Sequence, residues 1–222
     1  MTTLPPIKFH SSLTKTDKEG QIYYWLDLYQ ANSQTNHKAV ITFFLADSDT
    51  DSADLMQHKQ QVESEFLIAI HTGEIKPDVL SITDNIVYCK TSEVVTVLKT
   101  FERMLAEYAF IWIDFQHLID VLKTSKNWYF QQSSIAKSDN FDNSIGQIMG
   151  KLPILSSDIK VVLTCAVVPS DTSYEILEQI NQAITTHLKT PAIEQYQAVN
   201  FDDNLQNSEN DCWLGIFFIT DL

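Results

Sequence analysis

What constrains this chain most is a stretch that occurs twice. Val40-Ile-Thr-Phe-Phe-Leu-Ala-Asp-Ser-Asp-Thr50 lines up with Val162-Leu-Thr-Cys-Ala-Val-Val-Pro-Ser-Asp-Thr172, and each apolar run closes on Ser, Asp and Thr before a helical pattern begins. Ile7-Lys-Phe9 matches Ile113-Asp-Phe115 at nearly the same offset, and Ala31-Asn-Ser33 matches Ala136-Lys-Ser138. Agreement in order and spacing across three segments predicts an internal duplication, with a first α+β module over 1–108 and a second over 109–222. The competing reading is chance likeness between two buried strand-to-helix connections, since both need apolar runs and capping residues.

Hydrophobic periodicity fills in the elements. Gln21–Tyr29 is aromatic and β-branched, and His37–Leu45 is a longer apolar run; both predict strands. After the acidic loop Asp47–Asp54, a helix is expected to run to about Ile70, with Leu55, Val62, Phe66 and Ile70 on one face. Asp78–Ile82 and Ile86–Cys89 read as short strands, and Val94 to Tyr108 as an amphipathic helix. In the second half, a short helix carries Leu118, Ile119 and Leu122, followed by a strand over Trp128–Ile135 and a small helix around Phe141, Ile145 and Met149. A buried strand over Ile159–Val168, a helix over Ser173–Leu188, and strands at Gln197–Phe201 and Trp213–Thr220 complete it.

Charge excludes several function classes. The chain carries 29 acidic against 15 basic side chains, a formal net charge of −14, and Arg103 is its one arginine. Nucleic-acid binding needs basic surface to displace counterions, and phosphate recognition leans on the arginine fork. An anionic membrane surface is equally unattractive. The first residues show no basic flank leading into an apolar run, and no stretch approaches the roughly 18 apolar residues of a membrane span. Cys89, Cys165 and Cys212 are widely spaced and odd in number, which is not the pattern of a zinc site or a disulfide framework; Cys89 and Cys165 read as buried thiols in apolar runs, and a cytoplasmic protein is expected. The 5 glycines never cluster, which leaves no phosphate-cradling loop and no expected nucleotide cofactor.

Trp112-Ile-Asp-Phe-Gln-His117, Val161-Val-Leu-Thr-Cys165, the spacing of Pro169, Ser170 and Glu175, and Asp202-Asp-Asn-Leu205 follow one another along residues of about 110–220, and in that order they resemble the C-terminal domain of the tubulin/FtsZ family. The family's catalytic loop, N-x-D-F-x-D at the start of a helix, is echoed by Trp112-Ile-Asp-Phe-Gln-His117. Val161-Val-Leu-Thr-Cys165 is similar to a family strand, Pro169, Ser170 and Glu175 match the spacing of its next helix entry, and Asp202-Asp-Asn-Leu205 resembles its last turn. The resemblance implies an α+β fold with helices packed on mostly antiparallel sheet. It also marks departures: the family's glycine-rich GTP-binding segment has no counterpart, Trp112 replaces the loop's Asn, and His117 replaces its second Asp. Only Asp114 remains of three polar groups that polarise water against GTP held by a neighbouring subunit, so GTP hydrolysis is not expected.

The candidate sites each carry two readings. Asp47, Asp49 and Asp51 have the spacing of the first ligands of an EF-hand, but Ser52 and His58 stand where its glycine and bidentate glutamate belong, so a capping loop is favoured and no metal is expected. His117, three residues after Asp114, could form an acid–base pair with it, or Asp114 could simply cap a helix. The aromatic runs Tyr23-Tyr-Trp25 and Trp128-Tyr-Phe130 alternate across strand faces, so they predict either an interface or a sheet covered on both sides. Trp112, Asp114, His117, Tyr24, Trp128 and Phe130 are therefore the candidate interaction residues, with no catalytic residue assigned. The function expected is that of a non-catalytic FtsZ-like interaction or regulatory protein whose partner is FtsZ or a second copy of the chain. The alternatives are an enzyme or small-ligand-binding protein with its site between the modules, and an acidic module that occupies a basic partner by charge.

Overall fold

Two apolar runs set the architecture. Phe66–His71 is buried throughout and Lys38–Ala46 nearly so, a pattern tolerated only by a sheet covered on both faces. The structure is a computed structural model that describes residues 14–16, 22–30, 37–46, 50–73, 78–106, 109–136, 140–154, 156–188, 193–202 and 210–221. In chain order the elements are β1 (Thr14–Thr16), β2 (Ile22–Leu28), β3 (Lys38–Ala46), α1 (Ser52–Gln61), β4 (Phe66–His71), a 3-10 turn (Asp78–Ile82), β5 (Asn85–Tyr88), α2 (Val94–Leu105), α3 (Phe115–Thr124), β6 (Asn127–Ala136), α4 (Phe141–Met149), β7 (Ile159–Val168), α5 (Tyr174–Leu188), β8 (Glu194–Phe201) and β9 (Asn210–Thr220).

The strands form one nine-stranded sheet in the order β1-β2-β3-β4-β5-β6-β9-β7-β8. From β2 to β6 every neighbour is parallel, as is β7 with β8; β1 with β2, β6 with β9 and β7 with β9 are antiparallel. The sheet is thus mixed and mostly parallel, which corrects the expectation of mostly antiparallel strands. The family resemblance implied the antiparallel arrangement, and one parallel crossover was hidden in the helix expected to reach Ile70. It stops at Gln61, Val62 caps it, and Glu63 takes a left-handed turn at φ 52°. Phe66 and Ile70 then belong to a strand, and β3–α1–β4 becomes a parallel crossover. Asp78–Ile82, expected as a strand, is a 3-10 turn closed by the Thr83 hydroxyl donating to the Leu80 carbonyl at 3.0 Å.

Three cores fill the layers. On one face α2 and α3 lie over strands from both halves, packing Phe101, Leu98, Leu118 and Leu122 against Phe43, Ile68, Val87, Trp128, Leu163 and Phe217. On the other face α1 and the 3-10 turn cover Phe44, Leu67 and Ala69, while α4 and α5 cover Val162, Ala166, Leu214 and Phe218. Alternate residues of one strand feed opposite faces, as Ile41 and Phe43 do against Phe44 and Ala46. Gly215 permits the close approach of α2: a Cβ there would lie 2.6 Å from the Trp213 ring and 3.2 Å from Thr100. The two similar stretches of sequence are both parallel strand–helix–strand crossovers, β3–α1–β4 and β7–α5–β8. Their settings differ, because β3 lies between two parallel strands and β7 pairs antiparallel with β9. Ile7–Phe9, Ala31–Ser33 and Lys137–Ser138 of the other matches lie outside the described residues.

Candidate functional site

Residues 109–114 lead into α3 along the outer edge of the sheet. Ile111 exchanges two backbone hydrogen bonds with Val199 of β8, its N–H donating at 3.2 Å and its carbonyl accepting at 2.8 Å. The Ile113 N–H donates to the Met104 carbonyl at 2.7 Å, so the link is held at both ends of its apolar run. Backbone alternation around the Ile111 bridge leaves Phe110 at 42% and Trp112 at 51% exposure, while Ile113 is buried. Asp114 caps α3, its carboxylate accepting from the Gln116 N–H at 2.8 Å. That is the capping reading of Asp114. The exposed His117 ring lies 5.3 Å from the Tyr196 ring, and the Tyr196 hydroxyl donates to Glu194 at 3.1 Å.

The link meets the start of α5. Phe110 is 5.8 Å from Tyr174 and 4.9 Å from Phe201, centroid to centroid, with the rings tilted against one another. Tyr174 is 71% and Phe201 43% exposed. With Val168, Ser170, Thr172 and Leu177 these three rings line an open cavity of about 290 Å³. Ile111 and Trp112, the next two residues along the chain, are also exposed, at 38% and 51%. Exposed large apolar side chains gathered in this way mark interaction surfaces far more often than scattered ones do.

The other candidate residues divide. Trp128 and Phe130 are fully buried, which removes them from any surface: Trp128 packs on Phe101 at 5.7 Å and donates its indole N–H to the Ser125 carbonyl at 3.0 Å. Their neighbour Tyr129 faces the other way and stacks on Tyr88 at 4.9 Å. The helices on both faces make the covered-sheet reading the correct one for this strand. Tyr24 lies on β2, with its side chain outside the described residues, and Trp25 stacks on Phe115 at 4.5 Å. Asp47 and Asp49 also lie outside the described residues, whereas Asp51 caps α1 by accepting from the Ala53 and Asp54 N–H groups. Among the described residues no group of three or more His, Cys, Asp or Glu is placed to hold a metal ion.

A polar cluster lies elsewhere, inside the fold. Asp27 of β2 receives His58 Nε2 of α1 at 2.7 Å on one oxygen and His37 Nε2 at 2.9 Å on the other. Burial alone would raise the Asp27 carboxyl, but the two imidazoles outweigh it and its pKa falls below the ordinary 3.8. Asp27 and His58 are buried, and the cluster ties α1 to the sheet. Burial pushes the Cys89 and Cys165 thiols up to about 12, so neither is a thiolate nucleophile at neutral pH.

Phe110, Tyr174 and Phe201 are absent from the sequence-based candidates, yet signals for them exist. Ala109-Phe-Ile-Trp-Ile113 is an apolar run too short for a second buried strand, and Tyr174 is off the Leu177–Ile180–Ile184 face of its helix.

No family model matches the chain, and no curated protein matches it in sequence. Solved structures do match in shape. An empty FtsZ dimer from M. jannaschii superposes with a TM-score of 0.60 at 12% identity, covering 82% of this chain and 63% of that one. TubZ from Bacillus thuringiensis serovar israelensis, solved as a protofilament, gives 0.58 at 12% identity over 92% of this chain and 63% of that one. CetZ from Methanosaeta thermophila gives 0.55 at 9% identity, with coverages of 83% and 62%. The chain therefore spans less than two thirds of the length of these relatives in shape. No helix among the described residues is long and apolar enough to cross a membrane. The likeness reaches well beyond 110–220, and the fold of this chain is that of the tubulin/FtsZ-like proteins.

Proposed function

We propose that the chain is a non-catalytic FtsZ-like interaction or regulatory protein, linked to the cytoskeleton or to cell division, that works through the surface around Phe110 and Trp112. The observation that carries this reading is the exposed cluster of Phe110, Tyr174 and Phe201, with Ile111 and Trp112, exposed as well, following Phe110 in the chain. Aromatic residues are enriched at protein interfaces because they bury large areas at little cost in side-chain entropy. The segment resembling the family's catalytic loop presents an indole at Trp112 and an imidazole at His117, and Asp114 is engaged in capping α3. That chemistry suits contact better than activation of water, so no GTPase activity is expected. The partner is FtsZ or a second copy of the chain. In the same reading β3–α1–β4 and β7–α5–β8 descend from one duplicated unit, which their similar sequences and equivalent crossovers support.

Polymerisation of FtsZ from the same source with GTP, followed by light scattering, tests this. A stoichiometric change in polymer on adding the chain is expected. No change at several-fold excess, together with a monomer in sedimentation equilibrium at all concentrations, would overturn it.

A further inference from the structure

The cavity between Phe110, Tyr174 and Phe201 has a composition that specifies its ligand more narrowly than an apolar patch would. Its volume of about 290 Å³ is at the bottom of the range for small-molecule sites, roughly 300–1,000 Å³, and suits one inserted side chain. Three rings contribute its aromatic lining, and aromatic faces carry the negative lobe of a quadrupole that attracts cations. The hydroxyl residues Ser170 and Thr172 supply acceptors on the same lining.

The sequence flanking the lining residues carries one sign of charge. Within two positions of the lining residues the described chain has Asp171, Glu175, Glu178 and Asp202, and no lysine or arginine. Asp171, Glu175 and Glu178 are exposed, and Asp202 is half-buried. The N-terminus of α5 opposes them with a partial charge of roughly +0.5, far less than the full charges beside it. The guanidinium of Arg103 lies over the Trp213 ring at 5.6 Å. With a net charge of −14 over the whole chain, the long-range field also favours a cationic partner.

From these observations we infer that the Phe110–Tyr174–Phe201 cavity receives an arginine or lysine side chain from a basic segment of a partner protein. The rings take the cation and its aliphatic stem, and the exposed Asp171, Glu175 and Glu178 hold neighbouring basic residues of the same segment. This rests on the proposed interaction surface and adds the chemistry of its partner.

The test is an NMR titration of the full chain with the peptide Arg-Gly-Arg-Gly-Arg, read on aromatic ring resonances. A parallel titration replaces each arginine with citrulline, which keeps the shape and removes the charge. Saturable shifts confined to Phe110, Tyr174, Phe201 and their neighbours are expected with arginine, at least ten-fold weaker with citrulline. Affinity should fall several-fold as salt rises from about 50 to about 250 mM and the screening length shortens. Tyr174→Ala should weaken binding at least five-fold, and Tyr174→Phe should retain it. Equal binding of the citrulline peptide would overturn the inference. So would arginine-induced shifts scattered over the acidic surface and indifferent to Tyr174→Ala. If the arginine peptide fails while the chain still alters FtsZ polymer in a Trp112-dependent way, the cation site falls and the interaction surface stands. If the peptide binds at the rings but polymer and self-association are unaffected, the FtsZ-related reading falls and the cation site stands.

Discussion

Two groups of aromatic side chains sit in this molecule under opposite conditions. Phe43, Phe101, Trp128, Phe130 and Phe217 are fully buried and touch one another at ring separations of 4.8–6.0 Å, joining β3, α2, β6 and β9. Phe110, Trp112, Tyr174 and Phe201 lie at the far edge of the sheet, each more than two fifths exposed. Both groups are rich in the residues that dominate cores and interfaces alike. What separates them is the layer above: α2 and α3 close over the first group, and nothing among the described residues closes over the second. Aromatic content therefore does not distinguish a buried core from an exposed surface; the coverage of the sheet does.

The sharpest way to break the comparison is to remove a ring from the buried group. Phe101→Ala is expected to destabilise the fold by about 3–5 kcal/mol, read as a shift in the urea midpoint, because it empties a site contacting Phe43, Trp128 and Phe217. A cost below about 1 kcal/mol would deny that this cluster joins the two halves.

Next in size is the polar tie between β2 and α1. Asp27→Asn should cost about 1–3 kcal/mol by weakening two hydrogen bonds to histidine. It should also change the acid limb of the stability profile. The folded pKa of Asp27 lies below the ordinary 3.8, so between those values the unfolded chain binds more protons and stability rises with pH. The carboxylate's contribution is complete above about pH 4 and is lost as pH falls through the folded pKa. Wild type should therefore lose stability more steeply than Asp27→Asn below about pH 4, in urea titrations at several pH values. Parallel profiles would contradict that assignment.

The smallest effects on stability belong to the exposed group. Tyr174→Ala and Trp112→Ala should each leave folding within about 0.5 kcal/mol of wild type, measured by thermal melting. Their consequence is expected in association instead. A large loss of stability from either would show that these side chains support the fold as the buried group does.

Much of the fold could be read from the residues. The ends of most strands and helices follow from hydrophobic period and from caps such as Asp51 and Asp114, because those signals are local. The misreading came at Glu63-Ser-Glu65, where a helix turns left-handed and a strand begins. Phe66 and Ile70 are four apart, so they fit a helical face as well as one side of a strand. Without that strand the parallel crossover cannot be inferred, and the mostly antiparallel sheet implied by the family resemblance goes unchallenged. The site was partly legible. Trp112, Asp114 and His117 emerged from the loop resemblance, whereas Phe110, Tyr174 and Phe201 converge from three separate elements. Such convergence is a property of tertiary structure with no local signature. Trp128 and Phe130 were misplaced for the complementary reason: strand alternation tells which residues share a face, but not which faces are covered.

The most direct measurement is co-pelleting of the chain with GTP-assembled FtsZ polymer, comparing wild type with the Trp112→Ala/Tyr174→Ala double variant at matched concentrations. The exposed aromatic face predicts that wild type sediments with polymer in saturable amounts and that the folded double variant stays in the supernatant. Equal pelleting of the two proteins, or no pelleting of either, would contradict the assignment of that face to binding FtsZ.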